Sequence, residues 1–230
     1  MADTLTSTAL FSIVLTLGAY EFGLWLQKKL KSPICNPILV AVILVIAVLG
    51  VTGISAKDYQ AGCGTFSWLL TPATVCLAVP LYEQVKVLKR NLPAILLGVL
   101  AGTLVSLGCV ALLCRVFLLE DAMVATLLPK SITTAMGIAI SEQLGGIPAV
   151  TTAVIIITGI LGNIFGSSLC KLFKIEGEVA QGVAFGTASH VVGTSRASEI
   201  SELTGAVSSL SLVVAGILTA VLCPALYSLL

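Results

Sequence analysis

The chain is dominated by apolar runs of about twenty residues, the length a helix needs to cross the ~30 Å hydrocarbon core of a bilayer. Such runs cover residues 8–26, 33–53, 65–85, 92–117, 149–172 and 206–230. Hydrophobic residues make up 57% of the chain and charged residues 10%, against about 25% charged in an average soluble domain. That is too little polar side chain to cover a water-facing surface. In lipid every backbone polar group must be satisfied internally, which selects helices here. The expectation is an all-α polytopic membrane bundle of about seven or eight segments, forming a single transmembrane domain over residues 1–230. A net charge of +1 gives no electrostatic case for a nucleic-acid partner. Met1-Ala2-Asp3-Thr4 lacks the basic start of a cleaved leader, so the first run is expected to stay in the mature protein.

Basic residues orient the runs. Lys28, Lys29 and Lys31 close the first run, and Lys86, Lys89 and Arg90 follow the third. Both clusters read as cytoplasmic, two spans apart, which places Glu120-Asp121 outside. A short polar loop is expected at 56–64. The third run holds Pro72 and Pro80 and is expected to be kinked or broken. Residues 122–144 are interrupted by Pro129, Lys130, a Ser/Thr cluster and Glu142, and then punctuated by Gly145-Gly146-Ile147-Pro148. A full crossing there would put Lys171 and Lys174 outside, whereas a re-entrant hairpin keeps them inside, as the charge rule favours. Two echoes point to an internal repeat, of the kind that places broken helices at matching positions in transporters. Leu70-Thr71-Pro72-Ala73-Thr74 through Glu83-Gln84 matches Pro129-Lys130-Ser131-Ile132-Thr133 through Glu142-Gln143 at an offset of 59, and Leu113-Cys114-Arg115 with Phe117 matches Leu169-Cys170-Lys171 with Phe173 at an offset of 56. The seven cysteines form no C-x-x-C pair and lie mostly in apolar runs. They read as small buried hydrophobes, with no metal or cofactor expected.

Two polar segments stand out. Inserting Lys130, Glu142, His190 and Arg196 into lipid would cost on the order of 10 kcal/mol, at about 2.5–3.5 kcal/mol each, so they must face a cavity, pair with one another or reach the interface. At Pro129-Lys130-Ser131-Ile132-Thr133-Thr134 the proline favours a break or a helix start. Ser131, Thr133 and Thr134 can satisfy open amides, and a helix N-terminus beside Lys130 suits an anion. The alternative is a helix capped by Ser131 with Lys130 snorkelling to the headgroups. The second segment, Gly186 to Glu199, holds the chain's single histidine. There Gly193 allows a turn with positive φ. Thr187, Ser189 and Thr194 supply hydroxyls, and Thr187, His190 and Thr194 share one face of a helix. Arg196 can hold a carboxylate with two hydrogen bonds, or it can pair with Glu199. His190 titrates near neutrality and, with Glu142, is the candidate for proton coupling. Asn36-Pro37 and Thr74 beside Pro72 are polar breaks that could line the same cavity.

These motifs, in this order and across essentially the whole chain, resemble the LrgB/CidB/YohK family of bacterial membrane proteins. The resemblance rests on Pro129-Lys130-Ser131-Ile132-Thr133-Thr134, on Gly145-Gly146-Ile147-Pro148-Ala149, and on Gly186-Thr187-Ala188-Ser189-His190 with Gly193-Thr194-Ser195-Arg196-Ala197. Pro72-Ala73-Thr74, Ala78-Val79-Pro80-Leu81-Tyr82 and Asn36-Pro37 fit as well. Ala135 stands where the family usually has proline, and Ser195 where alanine is more usual. The resemblance implies a protein of the bacterial cytoplasmic (inner) membrane, labelled antiholin-like, that regulates murein hydrolases and lysis together with a small LrgA/CidA-type membrane partner. Similar proteins are implicated in pyruvate uptake, and a plastid relative exchanges glycolate and glycerate.

The residues favour a secondary transporter of small monocarboxylates (pyruvate, glycolate, glycerate or lactate), working as a homo-oligomer such as a dimer in the bilayer. The alternative is a holin-like regulator acting through assembly. An intramembrane hydrolase is disfavoured: Ser189 and His190 are adjacent, about 100° apart on a helix, and no G-x-S-x-G elbow is present. A non-enzyme is expected.

Overall fold

A computed structural model describes residues 9–30, 36–76 and 78–229; within these, the side chains of residues 67, 70, 71, 73, 74, 78, 80 and 81 lie outside the description. All regular structure among the described residues is α-helical. The chain divides into two compact units, Met1–Cys76 and Leu77–Leu230.

The first unit contains α1 (Ala9–Leu30), α2 (Pro37–Thr52), α3 (Ala56–Gly62) and α4 (Gly64–Cys76). α1 is long and apolar enough to cross a membrane. α2 is bounded at both ends by local chemistry: Asn36 Oδ1 accepts from Ile38 N at 2.8 Å and Leu39 N at 3.3 Å, Pro37 occupies the first turn, and Gly53 closes the helix at φ 71°. Its backbone lies so close to α1 that a Cβ on Gly23 would stand 2.6 Å from the Pro37 carbonyl oxygen. The polar loop expected at 56–64 is instead largely the short helix α3. Its start is fixed by Ser55, which accepts from Asp58 N at 3.1 Å as an N-cap and donates to Asp58 Oδ2 at 2.7 Å. The third apolar run is divided between α4, with Pro72 inside it, and α5 (Ala78–Glu83) of the second unit; residue 77 lies outside the described residues.

The second unit continues with α6 (Val85–Val116), α7 (Asp121–Leu127), α8 (Thr134–Gln143), α9 (Pro148–Leu172), α10 (Glu178–Ile200) and α11 (Glu202–Tyr227). α6, α9 and α11 have the length and hydropathy of membrane spans. α6 starts earlier than its apolar run, so Lys86, Lys89 and Arg90 form its first turns. Leu88, Ile95 and Val99 of α6 pack with Val207 and Ala215 of α11. Farther along α6, Leu107, Val110 and Cys114 pack with Leu128, Ile132 and Cys223.

Between α6 and α9 the chain doubles back. α7 has seven residues and α8 ten, about 10 and 15 Å of helix, so neither crosses a 30 Å core alone. Residues late in this segment lie beside early ones. A Cβ on Gly137 would stand 3.3 Å from the Pro129 oxygen, and one on Gly146 would stand 2.9 Å from Thr126 N. Ile147 N donates to Thr126 Oγ1 at 2.8 Å. The tip of this hairpin is the non-helical stretch 128–133. Ala135 sits in the first turn of α8, where the family's proline would also be tolerated.

α10 also doubles back, which overturns two expectations. Thr187, His190 and Thr194 do not share a face of one continuous helix, because His190 has φ 43° and ψ −140° and the helix reverses there. A Cβ on Gly193 would meet the Phe185 oxygen at 3.1 Å, whereas eight residues along a straight helix would span about 12 Å. Gly182 and Gly186 of the first arm lie against Thr204 and Ser208 of α11 in rising order, while Thr194 bonds Ser208 and Ser198 meets Gly205 in falling order. The positive φ is carried by His190 and not by Gly193; the described glycines with positive φ are Gly53 and Gly145. Gly193 is needed for room, since its missing Cβ is where Ser189 packs.

α6 and α9 end in the same motif. In α6, Phe117 N bonds Leu113 O, Leu118 N bonds Arg115 O and Leu119 N bonds Cys114 O, with Leu118 at φ 51°. In α9, Phe173 N bonds Leu169 O, Lys174 N bonds Lys171 O and Ile175 N bonds Cys170 O, with Lys174 at φ 56°. Both are Schellman-type stops with a left-handed residue, and both fall on the sequence echo at offset 56.

Candidate functional site

The break at His190 opens the last carbonyls of the first arm and the first N–H groups of the second. Beside it, side chains bond carbonyls at the start of the second arm. Val192 O accepts from Asn163 Nδ2 at 2.8 Å and from Ser195 Oγ at 2.7 Å. His190 O accepts from Thr194 Oγ1 at 2.9 Å, and that hydroxyl also meets Ser208 Oγ at 2.8 Å. The buried His190 ring places Nε2 2.9 Å from Ile155 O. A carbonyl only accepts, so Nε2 carries a hydrogen and donates it. The ring fills the notch left by Gly159, while Ser189 and Phe185 pack against Gly162 and Gly166. Three glycines of α9 thus seat the first arm and tip of α10. A non-glycine residue at φ 43°, ψ −140° stores about 1–3 kcal/mol of strain, held here by the hydrogen bond and by this packing.

The first hairpin brings its tip to the same region. Lys130 Nζ donates to Ser131 Oγ at 3.3 Å, and Ser131 Oγ lies 3.0 Å from Ser106 Oγ of α6. Ser131 lines a cavity of about 10 Å³ together with Thr103 and Ser106 of α6, Thr187 of α10 and Thr219 of α11. The two polar segments singled out in the sequence therefore share one wall, through Ser131 and Thr187. The Thr187 hydroxyl donates to Val183 O at 2.7 Å, and a Cβ on Gly102 would approach it to 3.3 Å. Thr103 Oγ1 is buried and, among the described residues, has no hydrogen-bond partner.

Other candidates fall elsewhere. Thr133 is the N-cap residue of α8 but its side chain makes no capping bond. Thr134 opens the helix, and both are half-buried. Lys130 and Ser131 precede that start, so the expected charge within a helix N-terminus is a charge on an irregular tip, and Ser131 does not cap. Glu142 is exposed near the end of α8, and among the described residues no hydrogen bond links it to His190. Arg196 pairs with Glu199 at 2.5 Å and donates from Nε to Ser167 Oγ at 3.3 Å; of its two readings, the structure has the pair. Asn36 belongs to the first unit, where Oδ1 caps α2, and Thr74 lies in α4 with its side chain outside the described residues. Thr103, Ser106, Thr219, Asn163 and Ser208 were not singled out from the sequence. Their only signal is a small polar residue inside an apolar run, which is also what a helix contact between spans looks like.

The architecture defines an all-helical, multi-pass membrane protein with two helical hairpins set between long apolar helices. Residues 16–229 match the LrgB-like family, and the chain belongs to that family. It is similar to the holin-like protein CidB of Staphylococcus aureus (strain N315), 38% identical over 95% of each chain. It is also similar to the antiholin-like protein LrgB of Bacillus mycoides (strain KBAB4), 34% identical over 95% of this chain and 96% of that one. The uncharacterized protein YwbG of Bacillus subtilis (strain 168) is 34% identical over 94% of this chain and 96% of its own length. No solved structure matches the chain.

Proposed function

We propose that the chain is a holin-like or antiholin-like component of the bacterial cytoplasmic membrane that acts by assembly, with copies of itself and with a small LrgA/CidA-type membrane protein, to regulate murein hydrolase activity and lysis. The observation that carries this reading is the kinship along nearly the full length of proteins named holin-like CidB and antiholin-like LrgB. The pairing of Arg196 with Glu199 and the bond of His190 Nε2 to Ile155 O support it, because these groups are engaged within the fold. The reading is non-enzymatic: His190 Nε2 is committed to a backbone carbonyl and Ser189 is packed into the Gly162 notch.

A second reading is a transporter of small monocarboxylates, with Lys130, Ser131 and Thr187 at its site. It is favoured by one observation: the tip of the first hairpin and the first arm of the second line a common cavity with hydroxyls in its wall. In this reading residues 70–117 and 129–173 are two copies of one repeat, the 122–144 segment is a re-entrant hairpin, and the whole chain is a single family domain of about seven or eight membrane segments. The matching stops at Leu118 and Lys174 support the repeat.

Purified protein in liposomes separates the two readings. Uptake of pyruvate, lactate, glycolate and glycerate is measured with and without a pH gradient, alone and with the small partner. The assembly reading expects no saturable uptake by the chain alone. Saturable, gradient-dependent uptake would overturn it and establish the transporter.

A further inference from the structure

We infer that the cavity between α6, the 128–133 tip, α10 and α11 is a binding site for one internal water. The site rests on its geometry alone and stands under either functional reading. Its volume is about 10 Å³, on the order of the space a single water needs, and a buried water makes about three hydrogen bonds to groups that otherwise lack partners. The wall supplies such a group. Thr103 is 3% exposed and, among the described residues, its Oγ1 has no partner, an arrangement that is unfavourable if the cavity is dry.

The other hydroxyls are placed to complete a water's coordination. Ser106 and Ser131 bond each other at 3.0 Å, which leaves lone pairs on both oxygens. Thr187 uses its hydrogen on Val183 O, so its oxygen presents only acceptor capacity. A water there donates to such acceptors and receives from, or donates to, Thr103. Leu107, Leu128, Ala215 and Thr219 form the rest of the wall. Thr103 lies about 27 Å from the start and 20 Å from the end of α6, so the site is deep in the span. Lys130 reaches it through Ser131. The water would thus join the Lys130–Ser131–Ser106 chain of the first hairpin to Thr187 of the second, a link that no direct hydrogen bond makes.

The test is radiolytic labelling of the purified full-length protein in ¹⁸O-water, read by mass spectrometry, with Thr103→Val and Thr103→Ser beside the native chain. Hydroxyl radicals formed from a trapped water label the side chains around it, so ¹⁸O should enter Leu107 and Leu128 although both are buried. Thr103→Ser should retain that label and Thr103→Val should lose it. Absence of label at both leucines in the native protein would overturn the inference, and that measurement does not depend on any variant folding. Thermal unfolding gives an independent reading. A wet site expects Thr103→Val to melt several degrees below Thr103→Ser, whereas a dry one expects Thr103→Val to melt at or above the native protein because an orphaned hydroxyl has been removed.

Discussion

Gly186→Ala tests the packing that holds the second hairpin against α11. A Cβ built there would stand 2.7 Å from Ser211 Cβ and 3.1 Å from Leu212 N, and nearer still to the Ser208 carbonyl. Ordinary contact begins at 3.4 Å, so the shortfall against Ser211 alone is about 0.7 Å. Two of the three obstructing atoms are backbone, so no rotamer change relieves the clash and α11 must move away. Overpacking of this kind costs about 1–3 kcal/mol. The same movement stretches the 2.8 Å bond between Thr194 and Ser208, a further loss of about 1 kcal/mol. The helix propensity gained by replacing glycine returns at most about 1 kcal/mol. The net destabilisation is about 1–3 kcal/mol, a fall in Tm of about 2–12 °C at about 2–4 °C per kcal/mol for a chain of this size. Gly108→Ala is the control, because nothing lies within 4 Å of its Cβ position. Both variants are purified in detergent and melted by intrinsic fluorescence. A Gly186→Ala melting point equal to or above that of Gly108→Ala would refute the reasoning.

His190→Gly should be more stable than His190→Ala, by about 1 kcal/mol: both lose the bond to Ile155 O, but only glycine sheds the 1–3 kcal/mol of backbone strain, against an entropic cost of 0.5–1. The reverse order of melting points would place the break elsewhere. Arg196→Ala and Glu199→Ala should each shift stability by no more than about 1 kcal/mol, since an exposed pair is worth little; their side chains are 39% and 63% exposed. In the liposome assay, flux lost in Arg196→Ala and kept in Glu199→Ala would give Arg196 a role in binding solute that the pair does not have.

Much of the architecture was legible in the chain because the bilayer imposes it. A run of twenty apolar residues has few alternatives to a helix, so α1, α6, α9 and α11 follow from hydropathy alone. Pro129 through Thr134 marked the first hairpin because proline and clustered hydroxyls conflict with a continuous helix, whereas Asn36-Pro37, read as a polar break inside a run from residue 33, is instead the N-terminal cap of α2. The family, too, was readable from the ordered motifs. The loop expected at 56–64 shows the limit of composition, since Ser55 and Asp58 turn a polar stretch into a helix by two hydrogen bonds.

What the sequence left undetermined depended on distant partners. His190 breaks α10 although glycine stands three residues on. The cause is not its own propensity but a carbonyl at Ile155 and a notch of glycines on α9, neither of which is near it in sequence. Arg196 was open between a ligand and Glu199; its distant partner is Ser167 of α9, which accepts from its Nε at 3.3 Å. Thr103 and Thr219 carry no signal in their own runs and acquire meaning only because the tip of the first hairpin, the first arm of the second and two long helices close around them. The sequence by itself determined a helical membrane protein of the LrgB-like family and the two places where its helices give way. Only the tertiary structure decided which way the chain turned at each and which hydroxyls met there, because burial satisfies polar groups through whatever the packing brings within hydrogen-bond reach.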